Sequence, residues 1–418
     1  MDARAGDDCR HVVIIGTGQA GFQAAASLRD NGFAGTIRLV GDEDGLPYQR
    51  PPLSKAYLAG TTDRSTLALR QAAFFTQANI DITAGRRAIA IDRTSRQVSL
   101  DDGIALPYDH LVLATGTRNR RLAVPGSDLD GVAYLRTATE GDWLRGRLAG
   151  VERVVIVGAG FIGLELTAFA AARGCAVTVL EAAARPMARA LSTTMSSFFQ
   201  RAHETAGVRF VFDAAVTRLI GPKGYVTAVE TADGVRHAAD LVLVGIGVVP
   251  NIELAADAGL ATDNGIVVDA HLATDDPAIS AIGDCAAFPQ PFADGLRGRI
   301  ESVQNAVDHA RCVAARLTGA AQPYGAVPWF WSDQGPLKLQ IAGLPAPHDH
   351  HVVRGDPDSR AFSVFCFRDG RLAGVESVNR PGDHMVGRRL LGTALTPAQA
   401  ADPTFDLKAL ASARAAAA

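Results

Sequence analysis

Two stretches of this chain repeat one pattern, and the repeat limits the possible fold more than any other feature. His11–Gly21 reads HVVIIGTGQAG and Val154–Gly163 reads VVIVGAGFIG. Each opens with a β-branched apolar run of the kind a parallel strand needs when both its faces are covered. Each then passes through G-x-G-x-x-G into helical sequence, and a second apolar run follows, TIRLVGD and AVTVLE, ending in an acid, Asp42 and Glu181. One glycine motif is weak evidence. Strand, glycines, helix and acid in order, twice, make the full dinucleotide-binding fingerprint.

The residue types follow from what such a unit must do. Gly16 and Gly158 make the tight turn, Gly18 and Gly160 let backbone approach a pyrophosphate, and Gly21 and Gly163 let the helix pack closely on the strand. The phosphates then lie at a helix N-terminus, where N–H groups and the dipole favour negative charge. Asp42 and Glu181 are placed to take ribose hydroxyls. Glu181 is followed by Ala182, Ala183 and Ala184, with no cation for a 2′-phosphate, so the second unit favours NADH over NADPH. Arg185 and Arg189 lie further on, within reach of a pyrophosphate.

At 418 residues the chain exceeds what one core supports, roughly 250 to 300 residues. The expected fold is α/β, with two Rossmann-like dinucleotide-binding domains and a small C-terminal α/β domain. HLVLATGTRNR (His110–Arg120) and ADLVLVGIGVVPN (Ala239–Asn251) look like crossings, so the second Rossmann unit is an insertion in the first. The expected boundaries are 1–117 with 248–325 for the first domain, 118–247 for the second and 326–418 for the third. In the last, AFSVFCFRDGRLAGVESVN is a strong Asp-Gly hairpin signal, and the Ala-rich end, Ala409–Ala418, is expected to be a loosely held tail.

Composition removes several function classes. The net charge of −3 gives no electrostatic footprint for nucleic acid. Val154–Ala172 is long and greasy, but three glycines and Glu165 interrupt it, so it is strand, turn and helix and not a membrane span. Met1–Arg10 carries aspartates and no apolar run, which is unlike a leader and suits a cytoplasmic protein. The five cysteines are scattered and never C-x-x-C, so neither a zinc set nor a redox pair is expected. His348, Asp349, His350 and His351 form the one tempting metal cluster, without further ligands in view, and no metal is expected.

The ordered set GTGQAG, LPYQRPPLSKAYL, LVLATG, GAGFIGLE, VGIGVVPN, AIGDC, ESVQNA and PWFWSDQ resembles the NADH-dependent ferredoxin reductases of bacterial oxygenase systems, the putidaredoxin-reductase type, along nearly the whole chain. The resemblance implies FAD in the first Rossmann unit, at positions matching Ala20, Asp42, Arg50, Lys55, Ala88, Arg136, Asp284 and Val303. It implies NADH in the second, with Ile162, Arg189 and Gly247 joining its glycines and Glu181. It also implies a [2Fe–2S] ferredoxin as partner; a monomer is expected because the sequence shows no long apolar arm or coiled-coil heptad.

Two residues stand out for chemistry. By resemblance Lys55 lies beside the flavin N5 and O4, where a cation stabilises negative charge on the reduced ring, and Glu165 faces it across the nicotinamide pocket. The alternative is an interdomain ion pair of purely structural value. Relatives that reduce disulfides or peroxide carry cysteine on the corresponding segment; here stand Ser54 and Lys55, so electrons must leave the flavin directly. Trp331 is the expected docking rim, with Trp329 either beside it or in the core. Arg70, Arg311, Lys338 and Lys408 are the cations that resemblance assigns to an acidic ferredoxin. Two other outcomes stay open: a small-molecule acceptor such as oxygen or a quinone, or rubredoxin; and a signalling flavoprotein of the apoptosis-inducing-factor kind.

Overall fold

The computed structural model describes residues 9–417, so most of the acidic N-terminal stretch read above lies outside the described residues. The chain forms two compact units, one of residues to Gln49, Arg64–Arg118 and Val249–Pro328, the other of Arg50–Asp63, Asn119–Val248 and Trp329 onward. The longer helices, in chain order, are α1 (Gln19–Asp30), α2 (Ala138–Arg147), α3 (Phe161–Ala172), α4 (Thr193–Thr205), α5 (Val303–Leu317), α6 (Pro381–Leu390) and α7 (Leu407–Ala417).

In the first unit a five-stranded parallel sheet has the order Ile279–Ala281, His110–Leu113, His11–Ile15, Thr36–Val40, Ile80–Thr83. The central strand is buried from Val12 to Ile15, which is why its sequence is apolar without alternation. Helices α1 and α5 pack together beside this sheet, and a three-stranded antiparallel layer (Ala88–Asp92, Gln97–Leu100, Ala105–Pro107) adds Val98, Leu100 and Leu106 to the same core. The strand-to-helix turn is sterically exact. Gly16 has φ +117°, and a Cβ there would sit 2.1 Å from the Ala114 carbonyl oxygen. A Cβ on Gly21 would sit 1.8 Å from the Gly16 oxygen.

The second unit repeats this plan with the parallel order Arg209–Val211, Ala176–Leu180, Arg153–Val157, Leu241–Val244, Val132–Ala133. The same closeness recurs, a Cβ on Gly163 falling 2.1 Å from the Gly158 oxygen. The C-terminal sheet is antiparallel in the order Trp329–Gln334, Leu337–Gly343, Arg371–Val378, Ala361–Arg368, His350–Asp356. Its Asp369-Gly370 turn has φ +50° and +71°, the left-handed pair that the hairpin reading requires. Leu339, Phe362, Val364 and Val378 from this sheet share one buried cluster with Val154, Leu191 and Phe199, so the C-terminal layer and the second Rossmann layer have a common core.

Arg50 and Lys55, assigned above to the first domain, lie in the second unit. Leu53, Tyr57 and Leu58 are buried there, and the Tyr57 hydroxyl donates to Asp142 on α2, whose neighbour Gly141 leaves room for the phenol ring. Lys55 and Glu165 thus pair within the second unit. The Ala-rich end forms the helix α7, on which Leu407 and Ala411 are buried.

Inside the second unit Glu376, fully buried on Arg371–Val378, accepts from the Ser192 backbone N–H at 2.7 Å and the Ser192 hydroxyl at 2.6 Å, the N-cap of α4. Burial pushes its pKa up to about 7, against the lowering effect of the Ser192 hydrogen bonds. The folded state thus holds this proton more tightly than the unfolded chain, and the group's stabilisation is lost as pH rises from its ordinary 4.5 through about 7. Glu376→Gln is expected to flatten the fall in melting temperature between about pH 5 and pH 8, measured by calorimetry. Gly21→Ala is expected to destabilise by roughly 1–3 kcal/mol or more, because the Gly16 backbone that faces the new methyl cannot yield.

Candidate functional site

In the first unit the N-terminus of α1 forms an anion cradle. Gly18 is its N-cap at φ −74° and ψ −170°, a conformation any residue adopts, and no side chain caps the helix. A Cβ on Gly18 would meet no protein atom within 4 Å. Nothing in the fold demands glycine there; the open space before the exposed helix N–H groups is what a pyrophosphate would fill. Gly41 presses on the loop, its absent Cβ falling 2.2 Å from the Thr17 hydroxyl, which brings exposed Asp42 to the cradle's side.

A second turn joins this cradle. Gly283, at φ +74°, is wedged between the helices: a Cβ there would lie 2.9 Å from that of Ala20 on α1 and 3.7 Å from that of Ala306 on α5. Asp284 follows, its carboxylate 3.5 Å from the Thr117 hydroxyl and its carbonyl accepting from Arg299 at 2.7 Å. Val303 opens α5 one turn before Ala306, behind the Ser302 cap. The structure thus gathers Gly16, Gly18, Ala20, Gly21, Asp284 and Val303. Ala88 stands at the start of the antiparallel layer, half-buried against the core.

The second unit holds a matching cradle. Gly160 caps α3 at φ −79° and ψ −177°, and the nearest atom to a Cβ there is the Gly245 oxygen at 3.9 Å. The Glu181 carboxylate accepts from Ala159 N–H in the glycine loop at 2.6 Å and from Ala183 N–H at 2.8 Å, which fixes it at the loop's edge. Ile162 is 44 % exposed on the first turn of α3. Arg185 is committed inside the fold, donating to the carbonyls of Leu191 at 2.9 Å and Ala188 at 2.8 Å. Arg189 is exposed, with a guanidinium nitrogen 3.6 Å from where a Cβ of Gly247 would lie, so these two expected positions come together.

Also in the second unit, Glu165 is 4 % exposed and both its oxygens are engaged. One accepts from Lys55 Nζ at 2.6 Å and from the Ser54 hydroxyl at 2.5 Å, the other from the Ser332 hydroxyl at 2.8 Å. Behind Ser332 the polar chain continues to Gln334 at 3.4 Å, whose amide oxygen lies 2.8 Å from His203 Nε2 on α4. Arg50 donates to the Arg136 carbonyl at 2.6 Å, and Glu140 holds the Arg136 N–H at 2.7 Å. Sequence reasoning missed Ser332 and Gln334. Their signal was the alternation in PWFWSDQ, which puts Phe330, Ser332 and Gln334 on one face of the strand and both tryptophans on the other. Phe330 meets Phe161 at 4.6 Å, while the indoles lie 5.6 Å apart and Arg388 covers Trp329 at 5.1 Å.

Other expected sites are simpler. Arg70, Arg311, Lys338 and Lys408 are exposed, Arg311 pairing with Asp308 at 3.4 Å. His348 and His351 bond each other at 3.2 Å, and their remaining nitrogens bond the Pro345 carbonyl and the Thr194 hydroxyl. Among the described residues no group of three metal-ligating side chains occurs, the cysteines are free thiols, and no helix is long and apolar enough to cross a membrane.

The emptiness around Gly18 gives a sharp expectation. Gly18→Ala should melt within about 1 °C of wild type without dinucleotide, since the methyl meets no protein atom, yet weaken dinucleotide binding about tenfold or more by calorimetric titration.

A profile of the pyridine nucleotide-disulphide oxidoreductase family matches residues 10–310, and one of the reductase C-terminal domain matches residues 329–411. Rhodocoxin reductase of Rhodococcus erythropolis is 58 % identical over 95 % of this chain and 93 % of its own length. A ferredoxin reductase from Rhodopseudomonas palustris superposes with a TM-score of 0.94 at 51 % identity, covering 96 % of this chain and all of that one. Putidaredoxin reductase, solved as a covalent complex with putidaredoxin, gives a TM-score of 0.93 at 41 % identity over 98 % of this chain and 99 % of that one. With both cradles, the shared fold and these matches in hand, the chain belongs to the pyridine nucleotide-disulphide oxidoreductase family and carries that family's reductase C-terminal domain.

Proposed function

We propose that this protein is an NADH-dependent ferredoxin reductase, holding FAD in the first cradle and NADH in the second and passing electrons to a [2Fe–2S] ferredoxin that feeds a monooxygenase or ring-hydroxylating oxygenase. The observation that carries the reading is the Lys55–Glu165 pair with Ser54 beside it, on a segment without cysteine. That segment has no thiol to relay electrons. The names of the relatives, a rhodocoxin reductase and a ferredoxin reductase among them, support the same acceptor class.

FAD, when bound, supplies the conversion of a two-electron hydride into single electrons. Gly16, Gly18, Ala20, Gly21, Asp42, Ala88, Asp284 and Val303 are the residues we assign to holding it, with Arg50 and Arg136 as further contacts. Lys55 provides a cation for negative charge on the reduced ring, and Glu165 orients that ammonium. Gly158, Gly160, Ile162, Gly163, Glu181, Arg189 and Gly247 are assigned to NADH. Glu181 at the loop's edge, and Arg185 spent on carbonyls, both favour it over NADPH. Trp331 is assigned the exit for electrons, and Arg70, Arg311, Lys338 and Lys408 the attraction of an acidic partner. The acting unit is taken as one chain in the reducing cytosol, which suits its free thiols.

Anaerobic stopped-flow mixing tests this. NADH should bleach the flavin at least about tenfold faster than NADPH, and a [2Fe–2S] ferredoxin should reoxidise it faster than oxygen, a quinone or rubredoxin does. Bleaching by NADH with no preference for ferredoxin would overturn the acceptor. Glu165→Gln and Lys55→Met should slow bleaching by about 10²-fold, whereas Trp331→Ala should leave bleaching intact and slow only the ferredoxin step. Raising salt should weaken that second step alone.

A further inference from the structure

Gly283 N–H has an unusual partner. It donates to Nδ1 of His309, 3.1 Å away on α5, in a site where the imidazole is wholly buried. The ring stands edge-on between Phe288, at 4.6 Å and 84°, and Tyr324, at 4.4 Å and 87°. Tyr324 is itself held, its hydroxyl donating to Asn305 at 3.0 Å while Asn305 donates to the Ile300 carbonyl at 2.9 Å. Since Nδ1 accepts, the ring's proton is on Nε2, which has no nitrogen or oxygen partner among the described residues.

We propose that His309 is the positioning residue for the Gly283–Asp284 turn of the first cradle, and that it serves only as a neutral imidazole. This rests on the reading of that cradle as the FAD site. A proton on Nδ1 would set two donors against each other. Gly283 has little room to yield, being wedged between Ala20 and Ala306, so the turn would have to leave the cradle. Protonation and flavin retention are thereby coupled through one hydrogen bond.

The surroundings agree. Burial pushes the His309 pKa down to about 3. The titratable and charged groups on the elements around it are Tyr324, Asp284 and Cys285 in the turn, and Cys312 and Arg316 further along α5, the last donating to the Ser280 hydroxyl; Asp308 and Arg311 pair with each other on that helix. Burial raises the Tyr324 phenol and the thiols of Cys285 and Cys312. A histidine whose folded pKa lies below its ordinary 6.5 stabilises the fold above that pH and ceases to do so as pH falls toward about 3. His110, also pushed to about 3 by burial, adds general acid lability, so the test must hold it constant.

The experiment follows FAD release by flavin fluorescence from the holoprotein between about pH 7.5 and pH 4.5, for wild type, His309→Asn and His309→Leu. Asn keeps an acceptor near Nδ1 and cannot titrate; Leu fills the site without an acceptor. His309→Leu should raise the FAD dissociation constant about tenfold at the upper pH, and His309→Asn should bind FAD there within about threefold of wild type. On acidification the Asn variant should release FAD at distinctly lower pH than wild type. An Asn profile superimposing on wild type, or a Leu variant that retains FAD as wild type does, would overturn the inference. Should Leu fail to fold, the Asn profile still decides. A wild-type chain that binds no FAD at all would sink the reading of the cradle and this inference with it, whereas indistinguishable variants that all bind FAD would sink only the inference.

Discussion

A carboxylate taken out of water must be neutralised or surrounded by donors, and Glu165 sets that demand at the centre of the second unit. Three segments answer it. Ser54 and Lys55 come from early in the chain, α3 carries the acid, and Ser332 arrives from the C-terminal sheet. Once these are fixed, much else follows: why Arg50–Asp63 joins the second unit, why the C-terminal sheet shares its core with the second Rossmann layer, and why Phe330 lies on Phe161. Removing one partner from such a buried group typically costs about 3–5 kcal/mol, more than most single contacts in a protein. The ion pair therefore organises the fold of this unit.

What was legible in the sequence was local. The two glycine fingerprints, their strands and their acids are set by sterics within about 30 residues, and each appears where the pattern required. The Asp369-Gly370 hairpin is equally local. Contacts across long separations were not legible. Nothing in LSKAYL announces that Tyr57 will reach Asp142, and that contact moves Lys55 from one unit to the other. His309 belongs to none of the motifs in the sequence, and its partner is a glycine N–H presented by a distant turn. Ser332 lies between these cases, since strand alternation alone would have turned it inward.

The two cradles solve one problem with different supports. Gly18 and Gly160 have the same backbone conformation and the same open space, as expected of groups that meet phosphate through main chain. Their acids differ. Glu181 is tied by two backbone N–H groups to its own glycine loop, while Asp42 is exposed beside a loop held by the Gly41–Thr17 contact. A tied carboxylate is preorganised for the hydroxyls of a ligand that comes and goes. An exposed one suits a ligand whose grip is spread over several loops.

The strand Trp329–Gln334 has a further consequence. Its even positions, Phe330, Ser332 and Gln334, answer to the buried acid, and its odd positions carry the two indoles. Because strand side chains alternate strictly, a slip of one residue would exchange the two sets completely. The strand is thus a two-sided tape on which the partners of the buried acid and the pair of indoles are written separately and yet cannot drift apart in register. Substitutions at odd positions can change the indole face without disturbing the face toward the buried acid, whereas any insertion in these residues would erase both at once.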